Sequence, residues 1–242
     1  MKKHIPNLIT SLNLVSGFVA IIYALNGNIV TASWLILAAM IFDFCDGFSA
    51  RALKAYSSIG KELDSLADEV SFGVAPAIII YQLIIRSMML NAPMIFNSDT
   101  FNGSGMILLL PVIMPICGAL RLAKFNTDET QTTSFKGLPI PANALAVISI
   151  VIAWHYAPSK ILASFIHSNI ALLIFTFVTS LLMVTRLPLL SLKTSHLRFK
   201  GNEGRYLMIV LVIATFAVFG IGAAPLVIPL YIIASLISLA IK

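Results

Sequence analysis

The sequence predicts an all-α integral membrane protein, a polytopic helical bundle of about eight transmembrane helices. Three observations carry this. The 242-residue chain is 59% hydrophobic and only 11% charged, which is more apolar surface than one soluble core of this size could bury. Several apolar stretches reach the roughly 20 residues needed to cross about 30 Å of hydrocarbon. With the N-terminus placed inside, all but Arg86 and Lys160 of the sixteen Lys and Arg fall on one side, the asymmetry that puts both termini in the cytoplasm. The net charge of +6 is sorted by topology and does not point to nucleic acid.

In chain order the predicted spans are 9–26, 31–52, 62–86, 104–122, 140–157, 169–187, 205–221 and 223–240. The first reads as a span rather than a secretory leader, because Pro6, Asn7, Thr10, Ser11 and Asn13 crowd it and the small-residue cleavage pattern is poor. Between spans, 51–61 is the first substantial cytoplasmic turn, and 121–139 is basic and polar, ending in Gly137, Leu138 and Pro139. The stretch 88–103 reads as an outward loop. A third cytoplasmic loop, about 188–204, holds Lys193, His196, Arg198, Lys200 and Glu203, and its basic part, 193–205, suits anionic lipid. Short connections leave no room for a soluble domain, so 1–242 reads as a single transmembrane catalytic domain with accessory helices at about 169–242. Cys45 and Cys117 make no metal or redox spacing and are expected to be reduced. Trp34 and Trp154 suit interfacial anchoring, and His4, His155, His167 and His196 are too scattered to form a site.

Acidic residues are concentrated where the membrane makes them costly. Of ten, six lie between positions 43 and 69: Asp43, Asp46, Glu62, Asp64, Asp68 and Glu69. A carboxylate at membrane depth costs on the order of 2.5–3.5 kcal/mol, less near the interface, so several together require a cation or a wet cavity. Asp43 and Asp46 are spaced i,i+3 at the cytoplasmic end of the second span, and Asp64 and Asp68 are spaced i,i+4 at the start of the third, so each pair shares a helical face. Antiparallel packing across 51–61 would join the two faces. Carboxylates without His or Cys form a hard oxygen site suited to two Mg²⁺ or Mn²⁺ ions, an apparatus for displacement at phosphorus. Gly47 would admit a phosphate close to the backbone, and Arg51 could grip it in bidentate fashion. A divalent-cation transporter is the alternative from another class, although its carboxylates would sit nearer the midplane.

The segment reads DxxDGxxAR over 43–51 and, eight residues later, GxxxDxxxD over 60–68. All eight fixed positions resemble, at the same spacing, the signature of the CDP-alcohol phosphotransferase family. That resemblance implies a membrane enzyme that transfers a phosphatidyl or phosphoalcohol group from a CDP-linked donor to a hydroxyl, releasing CMP. It implies Asp43, Asp46, Asp64 and Asp68 as ligands of two ions and Asp68 also as proton acceptor. Gly47, Arg51 and Ser57 then match positions that hold the CDP moiety, and Pro6 and Asn7 match an element that closes over the nucleotide.

Three further stretches, 63–77 (LDSLADEVSFGVAPA), 118–126 (GALRLAKFN) and 135–142 (FKGLPIPA), are similar to bacterial phosphatidylserine synthases within that family. The implied substrates are CDP-diacylglycerol and L-serine, the implied location is the cell (inner) membrane with a cytoplasmic site, and the implied assembly is a homodimer. Serine is a zwitterion, so Arg121, Lys124 and Lys136 are candidates for its carboxylate and Asn126 for a hydrogen bond. Glycerol 3-phosphate or inositol as acceptor is the alternative within the same chemistry.

Overall fold

A computed structural model describes residues 4–55, 57–88, 104–127, 135–190 and 202–240. Most of the 88–103 loop, Lys193, His196, Arg198 and Lys200 of the basic loop, the terminal Lys2, Lys3 and Lys242, and the side chain of Lys136 lie outside the described residues. Eleven α-helices are described. They are α1 (Ile5–Leu25), α2 (Ile29–Ala52), α3 (Ser58–Asp68), α4 (Ala75–Ser87), α5 (Ser104–Ile107), α6 (Ile113–Thr127), α7 (Ile140–Tyr156), α8 (Lys160–Ile166), α9 (Asn169–Val184), α10 (Glu203–Phe219) and α11 (Val227–Ala240).

Every predicted span falls on helix, and the chain is a multi-pass membrane protein. Among the described residues, four continuous stretches are long and apolar enough to cross by themselves: Ile5–Leu25, Ile29–Ala52, Ser58–Ser87 and Glu203–Leu239. The last holds two of the predicted spans folded back on each other, since Gly204 at the start of α10 lies against Ser238 near the end of α11. The run at 104–122 is divided by a 3₁₀ turn at Leu110–Val112 that contains Pro111, a residue that cannot continue the backbone ladder. One helix was not anticipated. α8 occupies what the sequence suggested was connection, is started by the Ser159 hydroxyl accepting from the Leu162 amide at 3.2 Å, and is bent 82° from α9.

Between α3 and α4, residues Glu69–Val74 form a π-helical segment. Pro76 follows closely. Its ring displaces the carbonyl four residues earlier and its nitrogen donates nothing, which favours a locally widened turn. The rod Ser58–Ser87 therefore continues as one 30-residue element with a shifted register in the middle.

Small residues let the first helices approach closely, as membrane packing demands where hydrocarbon offers no contrast. Ala20 and Ala24 of α1 and Ala32, Ile36 and Ala39 of α2 are buried, and the Ser16 hydroxyl donates to the Leu35 carbonyl at 2.8 Å. At the α1–α2 turn, Gln82 donates to the Leu25 carbonyl at 3.1 Å and Arg86 donates to the Gly27 carbonyl. Those bonds mark the end of the bundle opposite the acidic residues. Large apolar side chains such as Leu8, Phe18, Phe44, Phe48 and Ile209 stay exposed, as a lipid-facing surface requires.

Two strands, β1 (Phe135–Lys136) and β2 (Pro188–Leu189), pair antiparallel with Phe135 opposite Leu189. The sequence reading had loop here. The clasp extends through Gly137 N–H to the Leu187 carbonyl at 2.8 Å and Leu138 N–H to the Leu182 carbonyl at 2.9 Å, so the start of α7 is tied to the end of α9.

Gly17 sets the closest approach between α1 and the π segment: a β-carbon there would lie 2.2 Å from Ser71 Oγ and 2.7 Å from Ser71 Cα. Gly17→Ala is expected to lower stability by about 1–3 kcal/mol, read as a fall in melting temperature in detergent. Gly47, with open space at its β-carbon position, should tolerate Ala within about 0.5 kcal/mol. Equal melting temperatures for the two variants would contradict the close contact.

Candidate active site

Asp43 on α2 and Asp64 and Asp68 on α3 each offer a carboxylate oxygen, and these three oxygens lie within 4.8 Å of one another. The i,i+4 spacing on α3 stacks its pair along one face, and the short turn after α2 delivers that face to Asp43. Asp46 is outside this tight group. It is 5% exposed and lines an adjoining cavity of about 200 Å³ with Asp64. Buried oxygens on Asp46 (Oδ2) and Asp64 (Oδ1) have no hydrogen-bond partner. Unpartnered hard oxygens beside a converging carboxylate group fit a divalent cation.

The cavity gathers most of the residues expected to surround a nucleotide. Pro6, Asn7, Gly47 and Ser57 line it together with Asp46 and Asp64. Gly47 contributes bare backbone to the wall, with nothing within 4 Å of its β-carbon position. The Ser57 hydroxyl also starts α3 by accepting from the Gly60 amide at 3.0 Å. A β-carbon on Gly60 would come 3.0 Å from Asn7 Oδ1, so the start of α1 leans directly on the start of α3. Arg51 is placed differently. It is exposed, is not among the cavity-lining residues, and its Nε donates to the Gly47 carbonyl one turn back at 2.9 Å.

The residues proposed from sequence for the acceptor separate in the structure. Arg121 is 9% exposed, with a buried Nε that has no partner, and it sits near both Asp68 and Tyr231. Lys124 is exposed. Asn126 ties helices together: its side-chain Nδ2 donates to Ser65 Oγ at 2.9 Å and its backbone carbonyl accepts from Lys61 Nζ at 3.0 Å. Trp154 and His167 meet edge to face, with ring centroids 5.9 Å apart, away from the acidic group. Both cysteines are free.

Sequence reasoning missed Asn13. Fully buried on α1, it donates from Nδ2 to Asp68 Oδ1 at 3.1 Å, and its backbone carbonyl accepts from Ser71 Oγ at 3.0 Å. Thr10, one turn earlier, lines the cavity beside Asp46. Polar residues three apart in an otherwise apolar span were the available signal, because they share one helical face. Tyr231, also missed, reaches the same region from α11 and donates to the Leu190 carbonyl at 2.9 Å.

Comparison with known proteins follows the same outline. The model of the CDP-alcohol phosphatidyltransferase family matches residues 3–184. A Bacillus subtilis protein named CDP-diacylglycerol–serine O-phosphatidyltransferase is 35% identical over 204 residues, covering 84% of this chain and 99% of that protein. An archaetidylserine synthase of Methanothermobacter thermautotrophicus is 34% identical over 72% of this chain and 68% of its own length. A Helicobacter pylori CDP-diacylglycerol–serine O-phosphatidyltransferase is 38% identical over 61% of this chain and 56% of its own.

Mn²⁺ titration of the detergent-solubilised protein, followed by electron paramagnetic resonance, should register binding that Asp64→Asn weakens at least about tenfold, since a divalent ion loses a charged oxygen ligand. Ser57→Ala should leave that affinity unchanged. Equal Mn²⁺ affinity in wild type and Asp64→Asn would remove the acidic group as the metal site.

Proposed function

Because this chain belongs to the CDP-alcohol phosphatidyltransferase family, we propose that it transfers the phosphatidyl group of CDP-diacylglycerol to the hydroxyl of L-serine, giving phosphatidylserine and CMP. The observation that carries this reading is the joining of the three-carboxylate group to a cavity walled by Pro6, Asn7, Gly47 and Ser57. A metal group with no neighbouring cavity would serve structure alone. Serine as acceptor is supported by the names of the Bacillus and Helicobacter relatives and by a buried guanidinium, Arg121, near Asp68.

Asp43, Asp46, Asp64 and Asp68 would hold two divalent ions, Mg²⁺ or Mn²⁺. When bound, such ions neutralise phosphate charge and stabilise the entering and leaving oxygens. The chain's own residues do the rest. Gly47, Asn7 and Ser57 hold the cytidine diphosphate part of the donor in the cavity, and Arg51 meets it from the exposed rim. Asn13 fixes Asp68 by donating to one of its oxygens, which holds the carboxylate in place as an ion ligand and as the acceptor of the proton. The serine oxygen attacks the phosphorus that carries diacylglycerol, its proton passes to Asp68, and the bond to the CMP oxygen breaks. Arg121 takes the serine carboxylate. Positioning of the two reactants supplies much of the rate, because a metal-binding aspartate is a weak base.

Orientation follows from charge. The distribution of Lys and Arg supports a cytoplasmic acidic end of the bundle, which would let soluble serine and CMP exchange on the inner side of the cell membrane.

The test is CMP release from CDP-diacylglycerol with a panel of alcohols, with and without Mg²⁺ or Mn²⁺. Release is expected only with L-serine and a divalent ion. Asp68→Asn should lower kcat by at least about 10²-fold, and Arg121→Ala should raise the serine KM while leaving the CDP-diacylglycerol KM in place. Release with glycerol 3-phosphate or inositol in place of serine would overturn the acceptor. No release with any alcohol would overturn the reaction.

A further inference from the structure

Glu69 follows Asp68 directly in the chain and has no part in the contacts described above. One residue turns a helix by about 100°, so neighbours leave the helix in different directions and meet different helices. Asp68 is held by Asn13 of α1. Glu69 lies instead against α6: a β-carbon on Gly118 would come 2.9 Å from Glu69 Oε2, and one on Gly73 within the π segment would come 2.8 Å from Oε1. Oε2 is buried and has no hydrogen-bond partner.

Arg121 stands three residues beyond Gly118 on α6, on the same helical face. It is nine-tenths buried, its Nε is also without a partner, and it lies near Asp68. Glu69 thus faces α6 one helical turn before Arg121, and the orphan atoms of the two side chains do not satisfy each other. Leaving either unpaired in an apolar bundle is costly. A ligand carrying both charges as substituents of one carbon would satisfy both. A simple anion would answer Arg121 alone, and a metal ion would answer Glu69 alone. Glu69 also stands apart from the carboxylates that converge within 4.8 Å.

We propose that Glu69 binds the ammonium group of the acceptor while Arg121 takes its carboxylate, so that the acceptor hydroxyl is presented to Asp68. This rests on the reading of the acceptor as a hydroxy amino acid. Three attachment points, hydroxyl, carboxylate and ammonium, around one carbon skeleton distinguish L from D configuration, which two points cannot do. Gly118 is the enabling position, since a β-carbon there would come 2.9 Å from Glu69 Oε2 and push the carboxylate aside.

The experiment compares wild type, Glu69→Gln and Gly118→Ala in mixed micelles with CDP-diacylglycerol. Acceptor-site ligands are L-serine, ethanolamine, which lacks the carboxylate, and 3-hydroxypropanoate, which lacks the ammonium; the last two are measured as competitors of serine. Glu69→Gln is expected to raise the serine KM about tenfold or more, the scale of one charge-assisted hydrogen bond. The CDP-diacylglycerol KM should stay within about twofold. Preference for L-serine over 3-hydroxypropanoate should fall with it, whereas preference for L-serine over ethanolamine should hold, because both of those ligands carry the ammonium.

Gly118→Ala keeps every charge and only crowds the carboxylate, so it gives the same readout if Glu69→Gln does not fold. An unmoved preference over 3-hydroxypropanoate in whichever variant folds overturns the role of Glu69, as does a loss confined to kcat. Wild-type protein that turns over CDP-diacylglycerol but ignores serine overturns the acceptor reading itself, a separate result seen before any variant is made.

Discussion

Three carboxylate oxygens within 4.8 Å of one another repel in any medium. At separations near 4 Å and the effective dielectric of a protein, each like-charged pair costs on the order of 4 kcal/mol, while a whole domain is stable by only about 5–15 kcal/mol. The remainder of the fold is arranged around that constraint. Asp43 cannot retreat, because α2 is fixed against α1 by buried alanines and the Ser16–Leu35 hydrogen bond. Asp68 cannot turn away, because Asn13 holds it. A bundle this tightly tied keeps the carboxylates together, so the binding energy of a cation taken there would become stability of the site.

Helix register decides which charges join that group. Asp64 and Asp68 stack along α3, and the π segment begins at the next residue. Widening the turn at this point, where Pro76 already disturbs the ladder, rotates everything beyond it relative to a plain α-helix. Glu69 is delivered to α6, Ser71 to the backbone of Asn13, and Gly17 must be bare to let the segment approach. The same irregularity that separates Asp68 from Glu69 also locks the rod onto α1. Chemistry and packing meet in six residues.

The sequence made the spans and the acidic group legible for one reason: both depend on features a periodic pattern records. Apolar runs of span length and carboxylates at i,i+3 and i,i+4 need no tertiary information. Asn13 was not legible as a site residue because its meaning depends on a helix 55 positions away in the chain. Arg51 satisfies the family pattern, yet its guanidinium turns back to the Gly47 carbonyl, a rotamer that spacing does not encode. Asn126 reads in sequence as a ligand group, and spacing does not record that its side-chain Nδ2 and its backbone carbonyl also join α6 to α3. α8 and the β1–β2 clasp escaped for a further reason. They are short elements set by capping serines and by long-range backbone pairing, which hydropathy does not register.

The C-terminal hairpin looked like featureless membrane helix in sequence, and the family match ends at residue 184, before it begins. Its packing argues for a more direct part. Leu190, just beyond β2, is held from both sides of its backbone by α11: its N–H donates to Ser235 Oγ at 3.2 Å, and its carbonyl accepts from Tyr231 at 2.9 Å. β2 in turn pairs with β1, which leads into α7, and Tyr231 sits near Arg121. The hairpin therefore touches the site by two routes, through the clasp that sets the start of α7 and through the phenol beside the buried guanidinium. In the proposed reaction a buried cation reserved for a carboxylate needs walls that keep their place and exclude bulk water. A tyrosine anchored through its hydroxyl to the Leu190 carbonyl is such a wall. In the proposed reaction the last two helices would then serve the acceptor side, while α1 and α2 would serve the side of the metal and nucleotide.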